Sequence, residues 1–182
     1  MDDIEGLLGL IGMGVVELHP WNATVDEIEC SDQMVFDLDP GPGIEWSFVV
    51  QTALALKDML EGLAYEPWPK LSGRKGIHVM VPLEERLSHD SAHRLSRAIA
   101  QEQIATGPKR YTISAAPDRR KGRIFIDYLR NDRGITAVGT YSPRARAGNS
   151  IAAPVTWTQI EDVFQPMPTT CEKSQSRSKR LS

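Results

Sequence analysis

Apolar residues recur at three- and four-residue steps between positions 45 and 63. Val49, Ala53, Leu56, Leu60 and Leu63 fall on one face, and this spacing predicts an amphipathic helix ending near Gly62. A second helix is predicted over 88–105. Ser88-His89-Asp90 caps its start, and Ala92, Leu95 and Ile99 mark its buried face. Between and around these helices the period drops to two, or the chain becomes continuously branched and aromatic. Strands are accordingly predicted over 14–19, 34–39, 68–71, 77–81, 123–129 and 135–139. Pro20-Trp21-Asn22 turns the chain after the first of them, and a short helix is predicted over 156–164. Strands and helices alternate, but their connections are uneven. The pattern predicts an α+β fold, an α/β sandwich with a mixed or antiparallel sheet and flanking helices, rather than a regular doubly wound one. The length of 182 residues suits a single domain over 1–165. The Ser-, Lys- and Arg-rich segment 166–182 reads as a disordered basic tail.

Within the strand over 34–39, Asp37 and Asp39 share one face, while Phe36 and Leu38 share the other. Adjacent carboxylates repel unless a cation lies between them. All-oxygen ligands at a strand end suit Mg²⁺ or Mn²⁺ better than Zn²⁺. Asp-x-Asp before the Pro40-Gly41 turn can equally be a solvated strand end. Asp127 changes the picture, because it interrupts the apolar run Ile124-Phe125-Ile126, where an unpartnered charge is costly. Asp37, Asp39 and Asp127 are therefore expected to converge on one metal site. Carboxylates sharing divalent metals form the working end of many phosphoryl-transfer sites.

The formal net charge of −3 conceals a gradient. Residues 1–70 hold 14 acidic against 2 basic side chains, a balance of −12, whereas residues 109–147 hold 10 basic against 3 acidic, a balance of +7. Such a division suits a metal on one side and phosphates on the other. The loop Lys70-Leu71-Ser72-Gly73-Arg74-Lys75-Gly76-Ile77-His78 has the glycines, hydroxyl and cations of a phosphate cradle. It lacks the Walker A spacing, and a basic surface hairpin is the alternative. Arg119, Arg120, Lys121 and Arg123 read as a DNA-backbone contact or as a solvated loop. His89 and His93 have the i, i+4 spacing of metal ligands but fit a solvated helix face better. Trp21, Trp46, Trp68 and Trp157 could stack on bases, though core anchoring suits most of them. Cys30 and Cys171 provide neither a disulfide framework nor a metal spacing. With no apolar run of membrane-spanning length and no basic leader, the chain is expected to be cytoplasmic, with no membrane partner.

Glu17-Leu18-His19-Pro20-Trp21, Val35 to Gly41, Lys70 to Val79, Ile124 to Asn131, Tyr141 to Arg146 and Ala153-Pro154-Val155 together resemble, in order and spacing, the polymerase domain of the bacterial multifunctional DNA repair ligase. That domain is a member of the archaeo-eukaryotic primase superfamily, and the resemblance runs from about residue 5 to about residue 165. It implies a primase-like catalytic core in which Asp37, Asp39 and Asp127 hold two divalent metals, Mn²⁺ or Mg²⁺. Ser72 and His78 would bind the nucleotide triphosphate, with Arg74 and Lys75 as lesser candidates. His19 would lie near the sugar or the primer end, and Arg130 and Arg144 would reach phosphates or metal-bound groups. The implied activity is addition of nucleotides, often ribonucleotides, to a DNA primer end in non-homologous end joining. DNA ends or gapped DNA, nucleoside triphosphate, Ku and a ligase are the implied partners, in a nucleoid-associated setting. Family members carry a segment ahead of Glu-Leu-His-Pro-Trp whose lysines hold a downstream 5′-phosphate and whose aromatic platform receives the template. This chain starts almost at that motif, so a weakened grip on DNA is expected. Two further readings are a nucleotide- or DNA-binding remnant without turnover, and a metal-dependent phosphohydrolase.

Overall fold

The structure is a computed structural model, and it describes residues 3–146, 148 and 150–162. The segment 166–182, Phe164 and Cys171 lie outside the described residues. In chain order the elements are α1 (Ile4–Gly12), β1 (Cys30–Pro40), α2 (Trp46–Gly62), β2 (Trp68–Leu71), β3 (Ile77–Ser88), α3 (His89–Ala105), β4 (Tyr111–Thr112), α4 (Pro117–Arg120), β5 (Ile124–Asp127), β6 (Ala153–Pro154) and α5 (Trp157–Asp162). The strands form one sheet in the order β4-β5-β1-β3-β2-β6. Neighbours are antiparallel except β4 and β5, which run parallel. The sheet is therefore mixed, and the fold is α+β.

Alternation along β1 sorts the two faces. Met34, Phe36 and Leu38 are fully buried together with Val49, Ala53, Leu56 and Leu60 of α2, Ala92 and Ile99 of α3, and Ile124 and Ile126 of β5. Helices thus cover one face of the sheet. The opposite face carries a small apolar cluster, Val35, Met80 and Ala137 with Trp68 against it. Beyond that cluster this face bears Asp37 and Asp39.

Both long helices form as their periodicity predicts. Leu63, however, lies just past the end of α2 and is 54% exposed, and Ala64 takes a positive φ of 63° there. Ser88 caps α3 by accepting from the Ser91 N–H at 3.2 Å. Three expectations change. His89 is buried, with Nδ1 3.0 Å from Ser31 Oγ and Nε2 2.9 Å from the Ile28 carbonyl, so it ties β1 to α3 instead of facing solvent. Gly14 is a turn residue with φ +79°, and residues 15–19 and 135–139 join no sheet. They meet each other instead: the Gly139 N–H donates to the Leu18 carbonyl at 2.8 Å and the Ala137 N–H to the Pro20 carbonyl at 3.4 Å. Pro20 has no N–H with which to continue a ladder. Helix α1 is an addition, capped by Asp3 through the Gly6 N–H at 2.8 Å, and none of its residues is buried. No helix among the described residues is long and apolar enough to cross a membrane.

Candidate functional site

The site is built on a row of ionisable residues that crosses four strands. Lys70 of β2 is in register with His78 of β3, His78 with Asp37 of β1, and Asp37 with Asp127 of β5. Directly opposed residues share a sheet face, so a cation, an imidazole and two carboxylates lie side by side on the face away from the helices. Asp39, two residues along β1, is on the same face. His78 Nε2 is 3.4 Å from Asp37 Oδ1.

Gly76 lets the loop between β2 and β3 approach this row. A Cβ there would meet the Leu38 carbonyl at 2.8 Å and Asp37 Oδ1 at 3.3 Å. Gly73 turns the loop with φ +69°, and a Cβ on it would meet Arg144 Cγ at 2.8 Å. Ser72 is buried, and its hydroxyl accepts from the Arg74 N–H at 3.3 Å. The loop is closed by a hydrogen bond from the Ser72 N–H to the Gly76 carbonyl. A cavity of about 300 Å³ results, lined among others by His19, Asp37, Asp39, Ser72, Arg74, His78, Arg130 and Arg144. The structure thus brings these eight expected residues together. Lys75 is exposed outside the cavity lining. Asp127 lies beside the cavity, behind Arg130.

Arg130 is placed by two asparagines that the sequence did not single out. Asn131 replaces a ladder partner. Its Oδ1 accepts from the Val35 N–H at 2.7 Å, and its Nδ2 donates to the Val35 and Tyr128 carbonyls, each at 2.8 Å. Asn22 Nδ2 holds the Arg130 carbonyl at 2.9 Å. The guanidinium then bridges the two central carboxylates, with Nε 3.0 Å from Asp127 Oδ2 and Nη2 3.4 Å from Asp37 Oδ2. Glu17 was likewise visible only as part of a motif. Its carboxylate meets His19 Nε2 at 2.8 Å, accepts from the Ala145 N–H at 2.8 Å and lies 3.5 Å from Arg144 Nη1. It therefore holds His19 and Arg144 from one point.

The basic run behaves differently from a uniform loop. Arg119 and Lys121 are exposed and Arg123 half-buried. Arg120 turns inward onto Asp39, with Nη2 2.5 Å from Oδ2, and stacks over Phe125 at 4.9 Å. The turn at Gly41 anchors this segment: its N–H donates to the Arg123 carbonyl at 2.9 Å, and a Cβ on Gly41 would lie 1.8 Å from the Arg120 carbonyl oxygen.

The electrostatics divide the carboxylates. Burial pushes the Asp37 carboxyl up, but the His78 imidazole and the Arg130 guanidinium outweigh it and hold the carboxyl below its ordinary range. Burial, reinforced by the charges of Asp37 and Asp39, raises Asp127 in spite of Arg130 and the Leu129 N–H. Hydrogen bonds from His19 and then the Ala145 N–H lower Glu17. Burial lowers Arg144, opposed by Glu17 and aided by Arg74 and Arg146. Among the described residues, His78 Nδ1 and Arg144 Nε are buried without a hydrogen-bond partner. A cavity with unpaired donors and clustered cations suits a polyanion.

The donor set also suits a hard divalent cation, being all oxygen and all on one face. Among the described residues, however, no three His, Cys, Asp or Glu side chains already converge as a ligand group. Arg130 stands between Asp37 and Asp127, and Arg120 holds Asp39.

The family model for the LigD primase-polymerase domain matches residues 1–182. The Multifunctional non-homologous end joining protein LigD of Pseudomonas aeruginosa is 39% identical over 151 residues, covering 83% of this chain and 18% of that protein. The Bifunctional non-homologous end joining protein LigD of Bacillus subtilis is 28% identical over 166 residues, covering 91% of this chain and 27% of that protein. The solved polymerase domain of Mycobacterium tuberculosis Ligase D in complex with DNA superposes with a TM-score of 0.83 at 30% identity. The match covers 89% of this chain and 59% of that one. The chain thus spans about a fifth to a quarter of these curated relatives' length.

Proposed function

The chain belongs to the LigD primase-polymerase domain family, and from that membership and the cavity's geometry we propose that it is a metal-dependent nucleotidyltransferase. It adds nucleotides, preferentially ribonucleotides, to a DNA primer end during double-strand break repair by non-homologous end joining. The observation that carries this reading is the cavity, in which Asp37 and Asp39, with Asp127 beside them in register, adjoin a cationic cradle. Ser72, Arg74, His78 and Arg144 bind the triphosphate, with Lys75 at its exposed end. His19, fixed by Glu17, faces the sugar.

Asp37, Asp39 and Asp127 would hold the Mn²⁺ or Mg²⁺ ions, which supply charge neutralisation to the transferring phosphoryl group. The protein's own part is positioning. The cradle fixes the phosphates while the sheet fixes the carboxylates against them. A primer 3′-hydroxyl attacks the α-phosphorus, its bond to the β-phosphate oxygen breaks, and pyrophosphate leaves. Arg119, Lys121 and Arg123 contact the DNA backbone. The partners are gapped or broken DNA, Ku and a ligase, in a cytoplasmic, nucleoid-associated setting.

Primer extension on gapped DNA with Mn²⁺ and ribonucleoside triphosphates tests the proposal. Extension by the wild type and none by Asp37→Ala is expected; equal behaviour of the two would overturn it. Arg120 on Asp39 favours one competing reading, nucleotide and DNA binding without turnover. In that case nucleotide binds and no extension follows.

A further inference from the structure

Lys70 is a buried ionisable group that the proposed chemistry does not use. It is 2% exposed and among the largest fully buried side chains. Burial lowers its pKa to about 8 against the pull of Asp37. It does not line the cavity, and among the described residues its ammonium donates to a single acceptor, the Val138 carbonyl, at 2.7 Å. Burying an ammonium is expensive compared with an apolar side chain of similar volume, so what Lys70 holds is informative.

Val138 sits in the extended segment 136–139, three residues of which form one cavity wall. The Ala137 N–H donates to the Pro20 carbonyl and the Gly139 N–H to the Leu18 carbonyl. These two bonds bracket His19. The approach at Gly139 is close, since a Cβ there would lie 3.3 Å from both the Leu18 carbonyl oxygen and Pro20 Cδ. Segment 136–139 therefore sets the backbone of His19 from both sides, and Lys70 pins that segment at its middle from the sheet. Arg130 adds a weaker tie, 3.3 Å from Nη1 to the Thr136 carbonyl. Lys70 neighbours His78 in register, but the hydrogen-bond path from Lys70 through Val138 to the backbone around His19 passes through none of Ser72, Arg74 and His78.

We propose that Lys70 is a positioning residue of the nucleotide site, one that places His19 against the nucleoside by anchoring the Val138 carbonyl. The inference rests on the nucleotide-binding reading above. It predicts that loss of Lys70 damages recognition of the nucleoside and spares recognition of the polyphosphate, because sub-ångström misplacement of one contact is felt only by the group it touches.

The test uses two probes with Mn²⁺, a ribonucleoside triphosphate and inorganic tripolyphosphate, titrated calorimetrically against wild type, Lys70→Met, His19→Ala and the double variant. Wild type should bind the nucleotide more tightly than tripolyphosphate. Lys70→Met should lose about tenfold in nucleotide affinity and keep tripolyphosphate affinity within about twofold, and His19→Ala should add little in its background, as expected for coupled residues. Lys70→Gln retains a donor on a side chain one atom shorter. It should show the same selective loss at about threefold, and it carries the test if the Met variant does not fold. Equal loss for both probes, no loss for either, or full additivity with His19→Ala would overturn the proposal while leaving the nucleotide-binding reading intact. A wild type that binds neither probe, or does not prefer the nucleotide, would overturn both.

Discussion

Arg130 stands where a divalent cation would have to bind, and replacing it should tighten metal binding. Its guanidinium lies 3.0 Å from Asp127 and 3.4 Å from Asp37, on carboxylates whose side chains are only 10% and 14% exposed. The Nη2–Asp37 contact is a hydrogen bond and the Nε–Asp127 contact an ion pair, and a hydrogen bond to a charged group is worth about 1.5–3 kcal/mol when shielded from water. Arg130 itself is 36% exposed, so screening reduces the figure to roughly 1–1.5 kcal/mol. A cation that displaces the guanidinium must overcome that amount. In Arg130→Gln it does not, and Mn²⁺ affinity without nucleotide should rise about tenfold, since about 1.4 kcal/mol is a factor of ten. The metal-free variant should also be less stable, because Asp37 and Asp127 then face each other with one counter-charge fewer, and Mn²⁺ should recover more stability in the variant than in wild type. The assay is a Mn²⁺ titration followed by the electron paramagnetic resonance of free Mn²⁺, with parallel thermal melts. Unchanged or weaker Mn²⁺ binding by Arg130→Gln would refute the reasoning.

Asp127→Asn should raise the Tm of the metal-free protein at neutral pH. Its folded pKa is raised, so the ionised group opposes folding once the pH exceeds the unfolded carboxylate range, and the advantage of the Asn variant should vanish on acidification below that range. Asp37→Asn should have the opposite sign. A lowered folded pKa means that Asp37 contributes stability above the unfolded carboxylate range and loses it as pH falls through the folded value; at pH 7 the variant should lose about 1–3 kcal/mol, read by denaturant melts. Gly76→Ala places a methyl 2.8 Å from the Leu38 carbonyl oxygen; it should weaken nucleotide binding and cost about 1–3 kcal/mol of stability, and wild-type behaviour in both would contradict the close approach. Joint replacement of Arg119, Lys121 and Arg123 by Ala should flatten the salt dependence of gapped-DNA binding by about two to three in slope; an unchanged slope would remove this segment from the DNA surface.

Local chemistry determined the main elements of this molecule in advance. The period of 3.6 set α2 and α3, because one apolar stripe of a helix has only one way to be buried. Alternation in β1 put Asp37 and Asp39 on the same face, because successive side chains of a strand point oppositely. The lone carboxylate in the apolar run 124–127 was visible as an unpaid desolvation cost, and the glycines of the 72–76 loop as room for a close approach. Helix α1 escaped detection because its face is not buried, so no core periodicity marks it; the Asp3 cap was its one local signal. Segments 14–19 and 135–139 had strand composition but found each other instead of the sheet, and nothing in a short window reports which partner an extended segment will take. The row Lys70–His78–Asp37–Asp127 depends on the register of four strands, contributed by positions up to 90 residues apart in the chain. Arg130 reaches its two carboxylates only because Asn131 and Asn22 hold its turn against β1. Arg120 and Arg119 are neighbours in one basic run, yet packing at Gly41 sends one to Asp39 and leaves the other in solvent. Residue types and periods fix which face a side chain takes within its own element. Which charges meet, and therefore which carboxylate is stabilised and which is strained, is decided by distances between elements that only the folded chain sets.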